Sequence, residues 1–184
     1  MAVVNGVGIL WLVSRATGLV AFALLTAALV AGAVATGPTA SRRWPRWARQ
    51  LLHRDLALLA VGVLAVHISS VVLDGYVPIG WLSVVVPFTA GYRPLAVTAG
   101  TLAFDTILVV VGTSLLRARL GYRAWRVVHW LVFLAWPLAA LHFLGVGTDF
   151  ASWWGRAIAV VGVLCVAAAL VIRRPAVALA GSPR

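Results

Sequence analysis

Lysine is absent from the 184-residue chain, aspartate supplies all four of its acids, and there is a single cysteine. With 63% of residues hydrophobic and only 10% charged, the balance is too apolar for an ordinary water-soluble domain. The lone cysteine, Cys165, excludes a disulfide framework, a paired-cysteine zinc site and the covalent attachment of a c-type haem. Any cofactor must therefore be held in another way. Neither a phosphate-binding loop nor a dinucleotide fingerprint is visible, and the apolar runs leave no room for a soluble catalytic domain, so flavin or nicotinamide chemistry is expected only on a partner. The net charge of +11 does not point to nucleic acid, because the arginines stand in short clusters between long apolar runs.

What is abundant is hydrocarbon. A helix needs about 20 residues to cross some 30 Å of bilayer core. Five runs meet that need, over about 8–35, 53–73, 95–116, 126–145 and 154–172. They predict an all-α integral membrane protein, a five-helix transmembrane bundle with residues 1–184 as one domain and no internal repeat. The first run lacks a basic start, is long for a signal peptide and contains Arg15, so it is expected to stay in the mature chain. Twelve arginines, in 42–54, 117–126 and 173–184, fall on one side of the spans, against Arg15, Arg93 and Arg156 on the other. The positive-inside rule then places the N-terminus outside and the C-terminus in the cytoplasm. Trp44, Trp47 and Trp125 read as anchors at the inner interface, and Trp11, Trp81, Trp153 and Trp154 at the outer one. Turns are expected at Thr36-Gly37-Pro38 and Leu120-Gly121-Tyr122. The long connection from Asp74 to Pro94 is apolar enough to lie along or dip into the outer surface.

All four histidines fall in two spans, His53 and His67 in the second, His129 and His142 in the fourth. These spans run in the same direction, so His53 meets His129 near the inner face and His67 meets His142 near the outer one. Fourteen residues separate His53 from His67. That spacing is about 21 Å of helix and close to four turns, so both rings can point the same way. Each depth offers two nitrogens, fewer than tetrahedral zinc requires, whereas haem iron needs only two axial ligands. Two non-covalent b-type haems are the expected cofactors: His53 and His129 ligate the inner iron, His67 and His142 the outer one. His129 and His142 are thirteen residues apart. An ideal helix leaves such a pair about 140° out of phase. Pro137, lying between them, is the expected cause of a re-aimed helix.

With these pairs and their fourteen and thirteen spacings, the chain resembles the ferric reductase-like transmembrane family. That family includes the haem-bearing cores of ferric reductases and NADPH oxidases and the haem-binding membrane subunit of a bacterial methionine sulfoxide reductase. Trp11 to Ala23 (WLVSRATGLVAFA), Val86 to Leu95 (VPFTAGYRPL) and Gly121 to His142 (GYRAWRVVHWLVFLAWPLAALH) are similar to bacterial members. The resemblance covers roughly residues 8–172. It implies a haem relay that carries electrons from a cytoplasmic flavin and NAD(P)H reductase to an extracytoplasmic acceptor such as ferric iron, a flavoprotein or a quinone. It also implies a multi-pass protein of the bacterial plasma membrane. The larger relatives have six helices and their own flavin domain, so this chain is expected to act as the haem subunit of a membrane oxidoreductase.

Haem propionates need donors, which gives arginines at histidine depth a function. Arg15 sits about 10 Å into the first span and pairs with an outer propionate or, alternatively, with Asp105. Arg126 precedes His129 by three residues and shares its face, and Arg93 in the outer loop is a further propionate candidate. Arg49 and Arg54 flank His53, and most inner arginines read as topology and headgroup residues. Trp130, Phe133 and Trp136 either line the space between the haems or pack the bundle. Asp55, Asp74 and Asp149 read as interfacial or capping acids, and Cys165 as a small apolar residue. No side chain is assigned as catalytic. The other reading of four intramembrane histidines is a non-redox membrane protein, a proton or metal transporter or a haem sensor. Transport would need acids near the rings, and Asp105 alone lies deep in a span.

Overall fold

A computed structural model describes residues 3–4, 7–36, 44–147 and 152–173. An apolar run has to bond its own peptide groups in lipid, and the helix is the form that does so within one segment. In chain order the elements are β1 (Val3–Val4), β2 (Val7–Gly8), α1 (Ile9–Thr36), α2 (Arg46–Asp74), α3 (Leu82–Val85) and α4 (Pro94–Leu115), followed by α5 (Arg117–Leu120), α6 (Tyr122–His129), α7 (Val132–Val146) and α8 (Trp153–Arg173). The strands form a two-residue antiparallel pairing, Val3 opposite Gly8 and Val4 opposite Val7. Five segments are long and apolar enough to cross a membrane: α1, α2, α4, the α6–α7 pair and α8. The expected residues Gly37, Pro38, Arg42, Arg43, Asp149, Arg174 and Arg184 lie outside the described ones.

The five crossings agree with the sequence, and two boundaries need correction. Helix α2 begins at Arg46, not at residue 53. A hydropathy count stops at charges, but a helix continues through them when arginine stems run along its surface. Pro45 precedes it, and its carbonyl accepts the first turn's N–H groups from Ala48 and Arg49. The fourth crossing starts at Tyr122 and is broken at Trp130-Leu131. Helix α4 opens on Pro94, at a position where no N–H is needed. Gly75 ends α2 in the left-handed conformation.

Two ends of the bundle are chemically distinct. At one, the loop end, Asp74 connects to Pro94 through α3, with Trp81, Leu82 and Phe88 exposed. These apolar side chains suit a segment seated in the membrane surface. At the other, the arginine-rich end, α2 carries Arg46, Arg49 and Arg54, and α5 and α6 carry Arg117, Arg119, Arg123 and Arg126.

Packing follows two antiparallel hairpins. Helix α1 lies along α2, α4 lies along α7, and α8 rests on α1. Small residues let the first pair close up: Ala28 and Ala33 of α1 are buried, and Ala60 of α2 is fully buried midway between His53 and His67. Between the hairpins, by contrast, α2 and α7 scarcely touch. The histidines stand across that gap.

Candidate functional site

The rings meet in the expected pairs. His53 and His129 have ring centres 6.1 Å apart and planes at 80°, and His67 and His142 have ring centres 6.4 Å apart, also at 80°. The first pair lies at the arginine-rich end and the second at the loop end.

Three of the four rings are held from behind by a backbone carbonyl. His67 Nδ1 lies 2.7 Å from the Ser14 carbonyl oxygen, His53 Nδ1 2.8 Å from that of Ala28, and His142 Nδ1 2.9 Å from that of Ala96. A carbonyl only accepts, so Nδ1 carries the proton in these three rings and donates it. Nε2, on the far side of the ring, is left with its lone pair, the state a metal ligand requires. Behind each of these three rings sits a glycine four residues past the accepting carbonyl. A Cβ at Gly18 would stand 2.9 Å from the His67 ring, at Gly32 3.0 Å from His53, and at Gly100 2.5 Å from His142. Gly18 and Gly32 on α1 repeat the fourteen-residue interval of His53 and His67 on α2, which is how one antiparallel seam seats both. On α4 the same interval from Gly100 leads to Ser114, whose Oγ lies 3.5 Å from His129 Nδ1.

The thirteen-residue interval of the fourth crossing is resolved near His129, not at Pro137 as the sequence suggested. Around the break, Leu131 N bonds Val128 O, Phe133 N bonds Trp130 O and Leu134 N bonds Leu131 O, a run of i to i−3 bonds. Such 3₁₀ geometry turns about 20° more and rises about 0.5 Å more per residue than an α-helix. A few residues of it carry His142 toward the phase of His129 and restore the roughly 1.5 Å of length that one missing residue costs. Pro137 lies inside α7, beyond the overwound stretch.

Two cavities flank the loop-end pair. One of about 270 Å³ is lined by Ser14, Arg15, Gly18, His67, Tyr92 and His142 among others, and one of about 150 Å³ by His67, Ser83, Gly100, Phe104 and His142 among others. Both His67 and His142 border both, so open space continues past the rings on either side.

The arginines fall into different settings. Arg15 lines the larger cavity, with its guanidinium over the rings of Trp11 at 4.9 Å and Trp154 at 6.0 Å. Its alternative partner, Asp105, stands on α4, whereas α1 packs chiefly on α2 and α8. Arg93 donates to the Gly145 carbonyl and lies over the Tyr92 ring, tying the loop to the end of α7. Arg126 is exposed above the Tyr122 ring. Arg49, which the sequence shows flanking His53 but which reads there as one of the topology arginines, stands one helical turn before His53. Only 7% exposed, it donates from Nη1 to the Val34 carbonyl at 3.3 Å, while Nε and Nη2 are buried without a partner among the described residues. Its signal was the i, i+4 interval to His53, which puts it on the ligand face. Arg54, adjacent to His53 in sequence, is exposed and paired with Asp55 at 3.0 Å.

Among the aromatics, Trp136 packs against Phe22, with centroids 5.8 Å apart, and donates its indole N–H to Thr26 Oγ1 at 2.9 Å. Trp130 and Phe133 lie under Arg173, at 4.4 and 5.2 Å. Trp125, expected as an interfacial anchor, is turned inward, its indole N–H on Ser114 Oγ at 3.1 Å.

With this geometry in hand, the comparison with known families is decisive. The family model of the ferric reductase like transmembrane component matches residues 17–140. The chain belongs to that family. The match spans Gly18, Gly32, His53, His67, Gly100, Ser114 and His129, and stops just short of His142. No curated protein and no solved structure matches the chain. Members of the ferric reductase-like family commonly bind haem, and the side chains here fit one. An iron held by two imidazoles at about 2.0 Å, each ring centre about 1.1 Å behind its nitrogen, sets ring centres about 6 Å apart. The observed 6.1 and 6.4 Å agree. The nitrogens of Arg49 left without a partner among the described residues would suit a propionate, and no three metal-binding side chains gather among those residues, so each pair offers two nitrogens, the number a porphyrin-held iron would need.

Proposed function

We propose that this ferric reductase-like chain is a di-haem b electron-transfer subunit of a membrane oxidoreductase. It carries electrons from a cytoplasmic flavoprotein to an extracytoplasmic acceptor such as ferric iron, a flavoprotein or a quinone, in a bacterial plasma membrane. The single observation that carries the reading is the pairing of four imidazoles, three with their protons locked onto Nδ1 by backbone carbonyls. Haem, when bound, supplies an iron that changes oxidation state by one electron without needing a proton.

The protein's part is to hold and orient. His53 and His129 present Nε2 at the arginine-rich end, and His67 and His142 do so at the loop end. The fixed Nδ1 protons set the tautomer and keep the ligands basic, favouring low-spin iron suited to electron transfer over oxygen binding. Arg49 would hold a haem propionate beside His53, and Arg15 one beside His67, which would lower the cost of burying charge on both partners. The arginine distribution orients the arginine-rich end to the cytoplasm, where the donor docks. A proton relay is less well served by the same rings, since a relaying imidazole has to exchange protons at both nitrogens and three are tied to carbonyls.

A vesicle assay tests the reading. The purified full chain, loaded with haem, is placed in liposomes enclosing ferricyanide, and reduced flavin with a flavin reductase is added outside. Bleaching of the enclosed ferricyanide is expected with the wild type and its loss with His67→Ala. Equal bleaching by both, or none by a haem-loaded wild type, contradicts a relay.

A further inference from the structure

The four ligand seats share one plan, and only one departs from it. At three, a glycine faces the imidazole and the carbonyl four residues earlier takes the Nδ1 proton. At the fourth, Ser114 stands in the glycine's place and Val110 is the residue four earlier. The Ser114 hydroxyl donates to the Val110 carbonyl at 2.6 Å, filling the position that histidine takes in the other seats. Its oxygen accepts the Trp125 indole N–H at 3.1 Å, and His129 Nδ1 is left at 3.5 Å. That distance is beyond the usual N–H···O range of about 2.7–3.2 Å. The Trp125 ring also lies against His129, with centroids 4.9 Å apart and planes 32° from parallel.

We propose that Ser114 is a positioning residue that makes His129 the weakest electron donor of the four ligands and so raises the reduction potential of the iron at the arginine-rich end. This rests on the di-haem reading above. A hydrogen bond from Nδ1 to a strong acceptor shifts electron density toward Nε2 and favours the ferric state, so weakening that bond favours the ferrous state. At the loop end both ligands donate to carbonyls. At the arginine-rich end only His53 does. The consequence is that the end facing the donor takes up an electron more readily than its seat would otherwise permit. The Nδ1 proton stays on the ring, and no bond is made or broken by Ser114.

The test compares substitutions of opposite expected sign. Ser114→Gly clears the hydroxyl and opens the Val110 carbonyl to His129, reproducing the other seats, so one of the two midpoint potentials falls. Ser114→Ala removes the acceptor while its methyl still covers the carbonyl, so the same potential rises. At a fixed ambient potential the two variants differ in the reduced-to-oxidised ratio of that haem by about tenfold, equivalent to 59 mV for one electron. Trp125→Phe keeps a ring beside His129 and frees the serine lone pair, so it moves the potential in the glycine direction by less. It carries the test if the Ser114 variants fail to assemble. Potentials are read optically on the purified full chain. Opposite shifts for Ser114→Gly and Ser114→Ala sustain the proposal. Shifts in one direction, as a packing role gives, or none in a haem-loaded protein, overturn it while leaving the di-haem reading intact. A wild type that takes up no haem overturns both.

Discussion

The two histidine pairs share a ring geometry and differ in their support. At the loop end both rings rest on glycines, both donate to carbonyls, and cavities open on either side. At the arginine-rich end one ring rests on glycine and the other on a serine and tryptophan network, next to the overwound break and near a buried arginine. The contrast shows that ring spacing and ring support are set separately. Spacing comes from the register of two antiparallel hairpins. Support comes from single residues on the helix behind.

The largest expected effect comes from removing a ligand. His142→Ala or His67→Ala should lower haem content from two per chain to one, keeping the arginine-rich end, and His53→Ala or His129→Ala should spare the loop end. Haem assayed against protein checks this, and loss of both haems in any one variant would mean the ends are not independent. Seat glycines come next. Gly100→Ala places a methyl 2.5 Å from the His142 ring and should cost more than Gly32→Ala at 3.0 Å. Overpacking of this kind costs about 1–3 kcal/mol and should lower the thermal midpoint together with haem retention at the end concerned, the loop end for Gly100→Ala and the arginine-rich end for Gly32→Ala. Gly62→Ala, with nothing within 4 Å of the added Cβ, is the control and should stabilise the helix by up to about 1 kcal/mol. A smaller and more local effect is expected at Arg49. Arg49→Met removes a charged donor worth about 1.5–3 kcal/mol, so haem should leave the arginine-rich end about tenfold to a hundredfold faster while the loop end is unchanged. Arg54→Ala, on an exposed side chain already paired with Asp55, should leave haem release at both ends as it is.

Much of this was legible in the chain itself. Apolar run length dictates five crossings, since a bilayer offers no other partner for the backbone. Two histidine intervals on co-directional helices dictate two levels of paired imidazoles. The break at Trp130-Leu131 was less legible because proline is the residue whose local chemistry announces a distortion, while an overwound turn arises from the packing demand that His142 meet Gly100 and His129 meet Ser114. Arg49 was hidden for a related reason. Arginine clusters at a helix end read as topology, and only the period of the helix separates Arg49, behind His53, from the exposed Arg54. The seats needed the neighbouring helix: a glycine in a membrane span is common, and its meaning appears when its fourteen-residue interval is laid against that of the histidines.

Electron paramagnetic resonance of the oxidised, purified full chain tests the central claim most directly. Two imidazoles with nearly perpendicular planes on each iron should give two low-spin ferric signals of high anisotropy, in equal amounts and with no high-spin iron. A high-spin signal from either end, a single low-spin species, or a protein that binds no iron porphyrin would contradict the assignment of these four histidines as two axial pairs.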